Sequence, residues 1–158
     1  MIAKHSRPYM PGYGIVAESK GVGLLPWSFV EERMVASRNY WIASAQPNGR
    51  PHAAPVWGLW HDGKFYFSTG EASRKGRNLE ASPAVSVHLE SGDEVVILEG
   101  EATAVSNSEL LESLDKAYIK KYGMAMQGPG IILTLGLQKA LAWREKDFPE
   151  SATRWIFN

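Results

Sequence analysis

Residues 52–69 read HAAPVWGLWHDGKFYFST, two apolar and aromatic runs joined by Asp62-Gly63. Asp-Gly between such runs is the strongest short-range hairpin signal, because both turn positions of the favoured two-residue loop need positive φ. The stretch predicts a strand over His52–His61, a tight turn, and a strand over Lys64–Thr69. Pro55 has no backbone N–H and marks a bulge or edge position in the first strand. Upstream, Pro47-Asn48-Gly49-Arg50 is a second turn signal, and Tyr40–Ala45 (YWIASA) is a strand in front of it.

Downstream the period changes. Ser73–Ala81 (SRKGRNLEA) reads as a short helix, capped by Ser73 and stopped before Pro83. Ala84–Leu89 alternates strictly, which predicts a half-buried strand, and Ser91-Gly92-Asp93 turns it into Val95–Ala104. The VVIL within that run is apolar on both faces, so this strand is central. Asn107–Tyr122 is the clearest helix, with Leu110, Leu111, Leu114, Ala117, Tyr118 and Tyr122 on one face and Gly123 as its stop. Another helix opens at Pro26. Ile131–Leu135, Ala140–Arg144 and Thr153–Phe157 supply two or three further strands. The reading is a mainly β fold: six or seven mostly antiparallel strands closed into a small barrel, with peripheral helices and no βαβ rhythm. Residues 24–158 form one barrel domain. Residues 1–23, with Pro8, Pro11, Gly12, Gly14, Gly21 and Gly23, are expected to be a loose extension or to lie over a partner subunit.

Composition narrows the function. The chain has 158 residues, with Lys+Arg and Asp+Glu both at 17. A neutral balance argues against nucleic acid or anionic membrane as the main partner, since both demand a cation excess. The absence of cysteine excludes disulfides, thiolate metal sites and Cys nucleophiles, and fits a reducing cytoplasm. The N-terminal residues lack the apolar core of a signal peptide, so a cytoplasmic location is expected. His5, His52, His61 and His88 have no ligand-like spacing, and no metal site is expected. Gly12-Tyr13-Gly14-Ile15-Val16-Ala17 matches a dinucleotide fingerprint in letters only: that motif needs a strand in front and a helix behind, and the eleven residues before it include two prolines. His88 shares the polar face of its strand with Ser86 and Glu90. Asp93, Glu94, Glu99 and Glu101 read as turn and strand-surface charges.

The informative run is Phe65 to Leu79 (FYFSTGEASRKGRNL). An aromatic strand ends in Ser68 and Thr69, Gly70 permits a sharp turn, and a helix opens with Ser73, Arg74 and Lys75. A helix N-terminus offers free N–H groups and a positive dipole end to an anion, and the hydroxyls and cations add to it. The alternative is a solvated basic turn in which Arg74 and Arg77 pair with Glu71 and Glu80. Aromatic side chains beside the turn favour a ligand with a flat ring and a phosphate, a nucleotide or a flavin.

From Tyr40 through VVILEGEATAV, and again at Thr153–Phe157, the chain resembles the pyridoxamine 5′-phosphate oxidase-like superfamily of FMN-binding split β-barrels. The pattern F-x-F-x-T-x-x-x-S-R-K-G followed by N-L and Pro carries that resemblance. It implies that Ser68, Thr69, Ser73, Arg74 and Lys75 hold a cofactor phosphate, with Ser68, Lys75 and Asn78 the positions retained in the deazaflavin branch. It also implies that Ala54, Pro55, Val56 and Trp57 lie along the cofactor ring and meet it mainly through backbone. Polarising an acceptor carbonyl needs a donor, for which His52, at the start of that strand, or a backbone N–H would serve. The B6 oxidases of the superfamily place an Arg and a Lys where this chain has Ala54 and Leu59, which disfavours that activity here. PWSFVEERMVASRNYWIA and the terminal TRWIF are more similar to the actinobacterial deazaflavin (coenzyme F420) reductases. The resemblance thus implies an oxidoreductase using reduced F420, with FMN as the alternative cofactor. It implies a homodimer whose cofactor sites lie at the subunit interface, with helix-borne aromatics and Trp155 near the neighbour's cofactor. A non-catalytic carrier of flavin, deazaflavin or haem is the rival from another class.

Overall fold

The structure is a computed structural model that describes residues 4–17 and 23–157. The strands are β1 (Lys4–Ser6), β2 (Asn39–Ala45), β3 (Pro51–His61), β4 (Lys64–Thr69), β5 (Ala84–His88), β6 (Glu94–Ala104), β7 (Ile131–Arg144) and β8 (Thr153–Ile156). The helices are α1 (Trp27–Ala36), α2 (Arg74–Ala81), α3 (Ser108–Tyr122) and the single turn α4 (Phe148–Ser151). Sheet order is β1-β8-β7-β4-β3-β2-β5-β6, and β6 pairs again with β7. Six strands, β2 to β7, therefore close into an antiparallel barrel, and β8 and β1 extend it outward from β7. The expected barrel is present with six strands, and the sheet as a whole departs from the expected strands in two places: two predicted runs are one strand, and one strand is added.

Both differences have a physical cause. Ile131–Leu135 and Ala140–Arg144 are one strand of 14 residues, β7, because β6 pairs with it from end to end. Its second partner changes along the way, from β4 over Ile131–Thr134 to β8 over Lys139–Ala142. The extra strand is β1, from the segment expected to be loose. It adds to β8 in register Lys4↔Ile156 and Ser6↔Arg154, within the same chain. Beyond it, Val16 N–H donates to Pro149 O at 3.0 Å, and Tyr13 packs edge-on against Phe148 with centroids 6.2 Å apart. Gly21 lies outside the described residues.

Alternation within the strands separates two cores. Inside the barrel, Tyr40, Ile42, Phe65, Phe67, Val87, Val96 and Leu98 are fully buried, closed at one end by Val30 and Met34 of α1. Outside it, α3 covers Leu59, Tyr66 and Ile132 with Leu114 and Tyr118. Trp155 was expected beside a neighbouring cofactor, yet it is buried in this chain's own core, its ring 5.4 Å from that of Trp27. Burying an indole removes a large apolar area from water, which outweighs leaving it on a seam.

Candidate functional site

The opening in the barrel comes from a change of partner along β3. Pro51–Trp57 pairs with β2, in register Ala45↔Pro51 through Asn39↔Trp57. Pairing with β4 runs only from Gly58↔Phe67 to His61↔Lys64. Extending that register would set Trp57 opposite Ser68 and Val56 opposite Thr69, and those pairs do not form. Among the described residues, Pro51–Trp57 thus has no ladder partner on its β4 side, so alternate N–H and C=O groups face a gap. Pro55 sits in this half, where its missing N–H is tolerated.

Helix α2 bridges that gap. At its start, Ser73 caps the helix by accepting from Gly76 N–H at 3.0 Å, and its hydroxyl lies 3.0 Å from that of Thr69 at the end of β4. Near its end, Asn78 donates through Nδ2 to Ser44 Oγ of β2 at 3.0 Å. Gly76 makes the docking possible: a Cβ there would stand 2.4 Å from Gly70 O and 2.5 Å from Glu71 O. The amides of Arg74 and Lys75 have no acceptor within a helix they begin. Arg74 and Arg77 are exposed and Lys75 is half-buried. None of the three forms an ion pair among the described residues, so the solvated basic turn paired to Glu71 and Glu80 is not what the chain builds. Burial holds the Lys75 ammonium below the usual lysine range.

The predicted site residues divide by face. Thr69 and Ser73 meet at the start of α2, where Arg74 and Lys75 follow, and Asn78 reaches Ser44 of β2 further along the helix. Ser68 does not share the face of Thr69: it pairs with Ile132 on the α3 side, while Thr69 pairs with Ile131 on the barrel side. Ala54 and Val56 stand on the inner face opposite Ile42 and Tyr40, whereas Pro55 and exposed Trp57 point outward. Only their shared backbone edge borders the gap as a unit. His52 is half-buried on the inner face, paired in register with Ser44, and makes no hydrogen bond among the described residues. His88 stacks on Trp41, and Nε2 of His61 meets both Ser113 Oγ at 3.1 Å and Asp62 at 3.6 Å. A relay needs the acid on the other ring nitrogen, so the His61 trio is not one. Among the described residues no group of His, Asp and Glu is arranged to hold a metal ion.

Three contributors were not anticipated. Ser44 anchors α2. Tyr122 and Lys121, at the end of α3, secure the point where β3 leaves β2. There the Tyr122 hydroxyl accepts from Gly58 N–H at 3.1 Å and lies 2.7 Å from Arg38 O, in the place of the next rung of the ladder. Lys121 Nζ donates to Gly58 O at 3.2 Å and to Tyr40 Oη at 2.7 Å. Burial and the Arg38 charge lower the Lys121 pKa to about 8. The sequence signal was an apolar helix face ending in Lys-Tyr, which identifies packing and not this wedge.

A phosphate-bearing planar cofactor was the expected ligand, and two features suit one. Among the described residues, the half-buried Lys75 ammonium has no ion-pair partner and buried Asn78 Oδ1 accepts no hydrogen bond. A buried acceptor without a donor costs about 1–3 kcal/mol, which a ligand hydroxyl or N–H offsets. The positions where the B6 oxidases carry cations offer no counterpart: Ala54 is a methyl group, and Leu59 is buried in the core beneath α3.

An antiparallel barrel opened along one hairpin, with a helix start and a lysine at the opening, is a split β-barrel with a candidate anion pocket. The family model for pyridoxamine 5′-phosphate oxidase matches residues 29–144, and the chain belongs to that family. It is 32% identical over 120 residues to a pyridoxine/pyridoxamine 5′-phosphate oxidase of Bacteroides thetaiotaomicron, covering 73% of this chain and 54% of that one. The chain thus spans about half the length of that relative. Among solved structures, a conserved hypothetical protein of Mycobacterium tuberculosis superposes with TM-score 0.68 at 24% identity, over 76% of this chain and 85% of the other. A heme binding protein from Mycobacterium smegmatis gives TM-score 0.57 at 22% identity, over 75% and 54%. A putative pyridoxamine 5′-phosphate oxidase from Listeria innocua gives 0.59 at 16%, over 73% and 93%. These structures share the fold.

Proposed function

We propose that this protein is a flavin- or deazaflavin-dependent oxidoreductase that uses reduced coenzyme F420 to reduce a small conjugated or carbonyl-containing substrate. The observation that carries the reading is the half-buried Lys75 at the start of α2, without an ion-pair partner among the described residues, on the helix that begins with the Thr69–Ser73 hydroxyl pair and bridges to β2. In this reading Lys75, Arg74 and the first amides of α2 hold the cofactor phosphate. Ser73 positions that helix start, and Asn78 accepts from a ligand donor. The edge of Pro51–Trp57 orients the ring through backbone groups, and His52 stands on the inner face as the candidate to polarise an acceptor carbonyl. When bound, the cofactor supplies the hydride; the chain binds it, orients it and excludes water.

The missing cations at positions 54 and 59 favour F420 over FMN. If both contact phosphate in an FMN site, their loss weakens it by several kcal/mol. The outward, largely apolar strip of Trp41, Ala43, Ala53 and Pro55 supports a homodimer with the cofactor gap near the seam. A haem or flavin carrier is the second reading, favoured by the fold shared with the mycobacterial heme binding protein. The test is to incubate the purified protein separately with F420, FMN and haem, desalt it, and record the absorbance spectrum. Retained F420, followed by oxidation of reduced F420 with enone acceptors, supports the reductase. Retention of haem alone, or of F420 without turnover on any acceptor, assigns the carrier.

A further inference from the structure

At the outer end of the free half of β3, four side chains form a cluster that the cofactor gap does not use. Trp57 exposes 36% of its surface and stacks on Tyr122, with ring centroids 4.7 Å apart and planes 7° from parallel. The Arg38 guanidinium lies 5.1 Å from the Trp57 centroid and 5.6 Å from that of Tyr122. Lys121 Nζ lies 5.2 Å from the Tyr122 centroid.

Two cations thus stand against one aromatic pair, and neither meets a carboxylate within ion-pair distance among the described residues. Glu90, which lines a surface depression with Arg38, reaches the amide of Asn39. Lys121 has spent two of its donors on Gly58 O and Tyr40 Oη. Among the described residues the Arg38 side chain makes ring contacts and no hydrogen bond, so all five of its N–H groups remain to be used. Like charges held together cost free energy, which an anion between them recovers. The exposed indole adds a flat surface at fixed position, its partner ring preventing rotation.

We propose that Arg38, Trp57 and Lys121 form a binding site for a small planar aromatic anion, its ring against Trp57 and its carboxylate or phosphate taken by Arg38 and the remaining Lys121 N–H. Trp57 adjoins the free edge of β3, so the site is also the place where an anionic acceptor would approach the gap; that clause alone rests on the proposed oxidoreductase reading. A neutral ring leaves the two cations unpaired, and inorganic phosphate forgoes the indole.

The test is calorimetric titration of the full chain with 2-naphthoate, uncharged 2-naphthamide and inorganic phosphate, together with tryptophan fluorescence. We expect 2-naphthoate to bind more tightly than either control and to quench fluorescence. R38Q, at an exposed side chain, is expected to weaken it by about tenfold or more while leaving F420 retention unchanged. W57F is expected to remove most of the quench. Equal affinity for naphthoate and naphthamide, or an R38Q titration matching wild type, overturns the site. Binding of naphthoate by a chain that retains no cofactor leaves the site standing and fails the oxidoreductase reading. Cofactor retention without naphthoate binding does the reverse.

Discussion

Lys75→Met is expected to stabilise the ligand-free protein while weakening its hold on a phosphate-bearing ligand. Lys75 is half-buried near the N-terminus of α2, where the helix dipole already disfavours a cation. It has no anionic partner among the described residues, and burial lowers its pKa from the ordinary 10.5. The folded state therefore resists the proton more than the unfolded chain does. That penalty is complete below the folded pKa and disappears as pH rises towards 10.5, so at neutral pH the charge opposes folding. Met keeps the apolar stem and removes the charge. The dipole contribution alone, about 0.3–1 kcal/mol, corresponds to roughly 1–4 °C in melting temperature for a domain of this size. The ligand loses a charge-assisted bond of about 1.5–3 kcal/mol, roughly tenfold to a hundredfold in affinity. The assay pairs thermal melts of cofactor-free wild type and K75M with fluorescence titrations of F420 and FMN, and K75R is expected to restore affinity. A melting temperature that falls together with affinity would make Lys75 a structural residue, and unchanged affinity would remove the phosphate from this end of the gap.

Gly76→Ala places a Cβ within 2.5 Å of two backbone oxygens, so α2 must lift from the Gly70–Glu71 turn. A cost of about 1–3 kcal/mol is expected in urea unfolding, with weaker cofactor retention; a neutral substitution disproves the tight docking. Tyr122→Phe leaves Gly58 N–H and Arg38 O without the bridging hydroxyl, which costs about 1–3 kcal/mol. Hydrogen exchange at the Gly58 amide should accelerate, and unchanged protection there refutes the wedge. Lys121 has a folded pKa of about 8 against 10.5 when free, so its charge opposes folding below pH 8 and that opposition fades above it. From pH 8 to 10, wild-type stability should climb relative to K121M, and parallel profiles contradict this. Above pH 10 Tyr40, whose ionisation burial suppresses, works in the opposite direction.

The barrel was legible because its decisive signals are local. Asp62-Gly63 adopts the positive φ values of 48° and 71° that the turn demands, and the flanking runs pair as a hairpin. Asn107 accepts from Leu110 N–H and Gly123 ends α3 in the left-handed conformation, as capping chemistry prescribes. What escaped was choice of partner. No composition signal marks Trp57 as the residue after which β3 exchanges β2 for β4. Nor does the Gly136-Leu137-Gln138 stretch reveal that β7 continues while its neighbour changes from β4 to β8. The opposite faces of Ser68 and Thr69 were legible, since adjacent strand residues always point apart. The motif groups them as one phosphate clamp, while the pleat sets their side chains on opposite faces of β4.

That partner exchange ties fold to function. An unpaired strand edge invites pairing with another chain, and proteins blunt such edges or cover them. Here the edge of Pro51–Trp57 is blunted at its centre by Pro55, bridged at one end by α2, and stopped at the other by the Tyr122 hydroxyl. Closing the gap would require Val56 and Trp57 to pair with Thr69 and Ser68. The wedge at Gly58 and the bond between Thr69 and Ser73 hold both sides in place against that. The backbone groups left along the edge, the acceptor on Asn78 and the cation on Lys75 each cost stability in the ligand-free chain. The last two lie on α2, the helix that bridges this gap, and a single ligand with a polar ring edge, a donor and an anionic tail would meet the demands of all three. A gap maintained by packing alone would be lined with satisfied or apolar groups. Three unsatisfied ones along β3 and α2 are the physical support for the proposal that a ligand binds here.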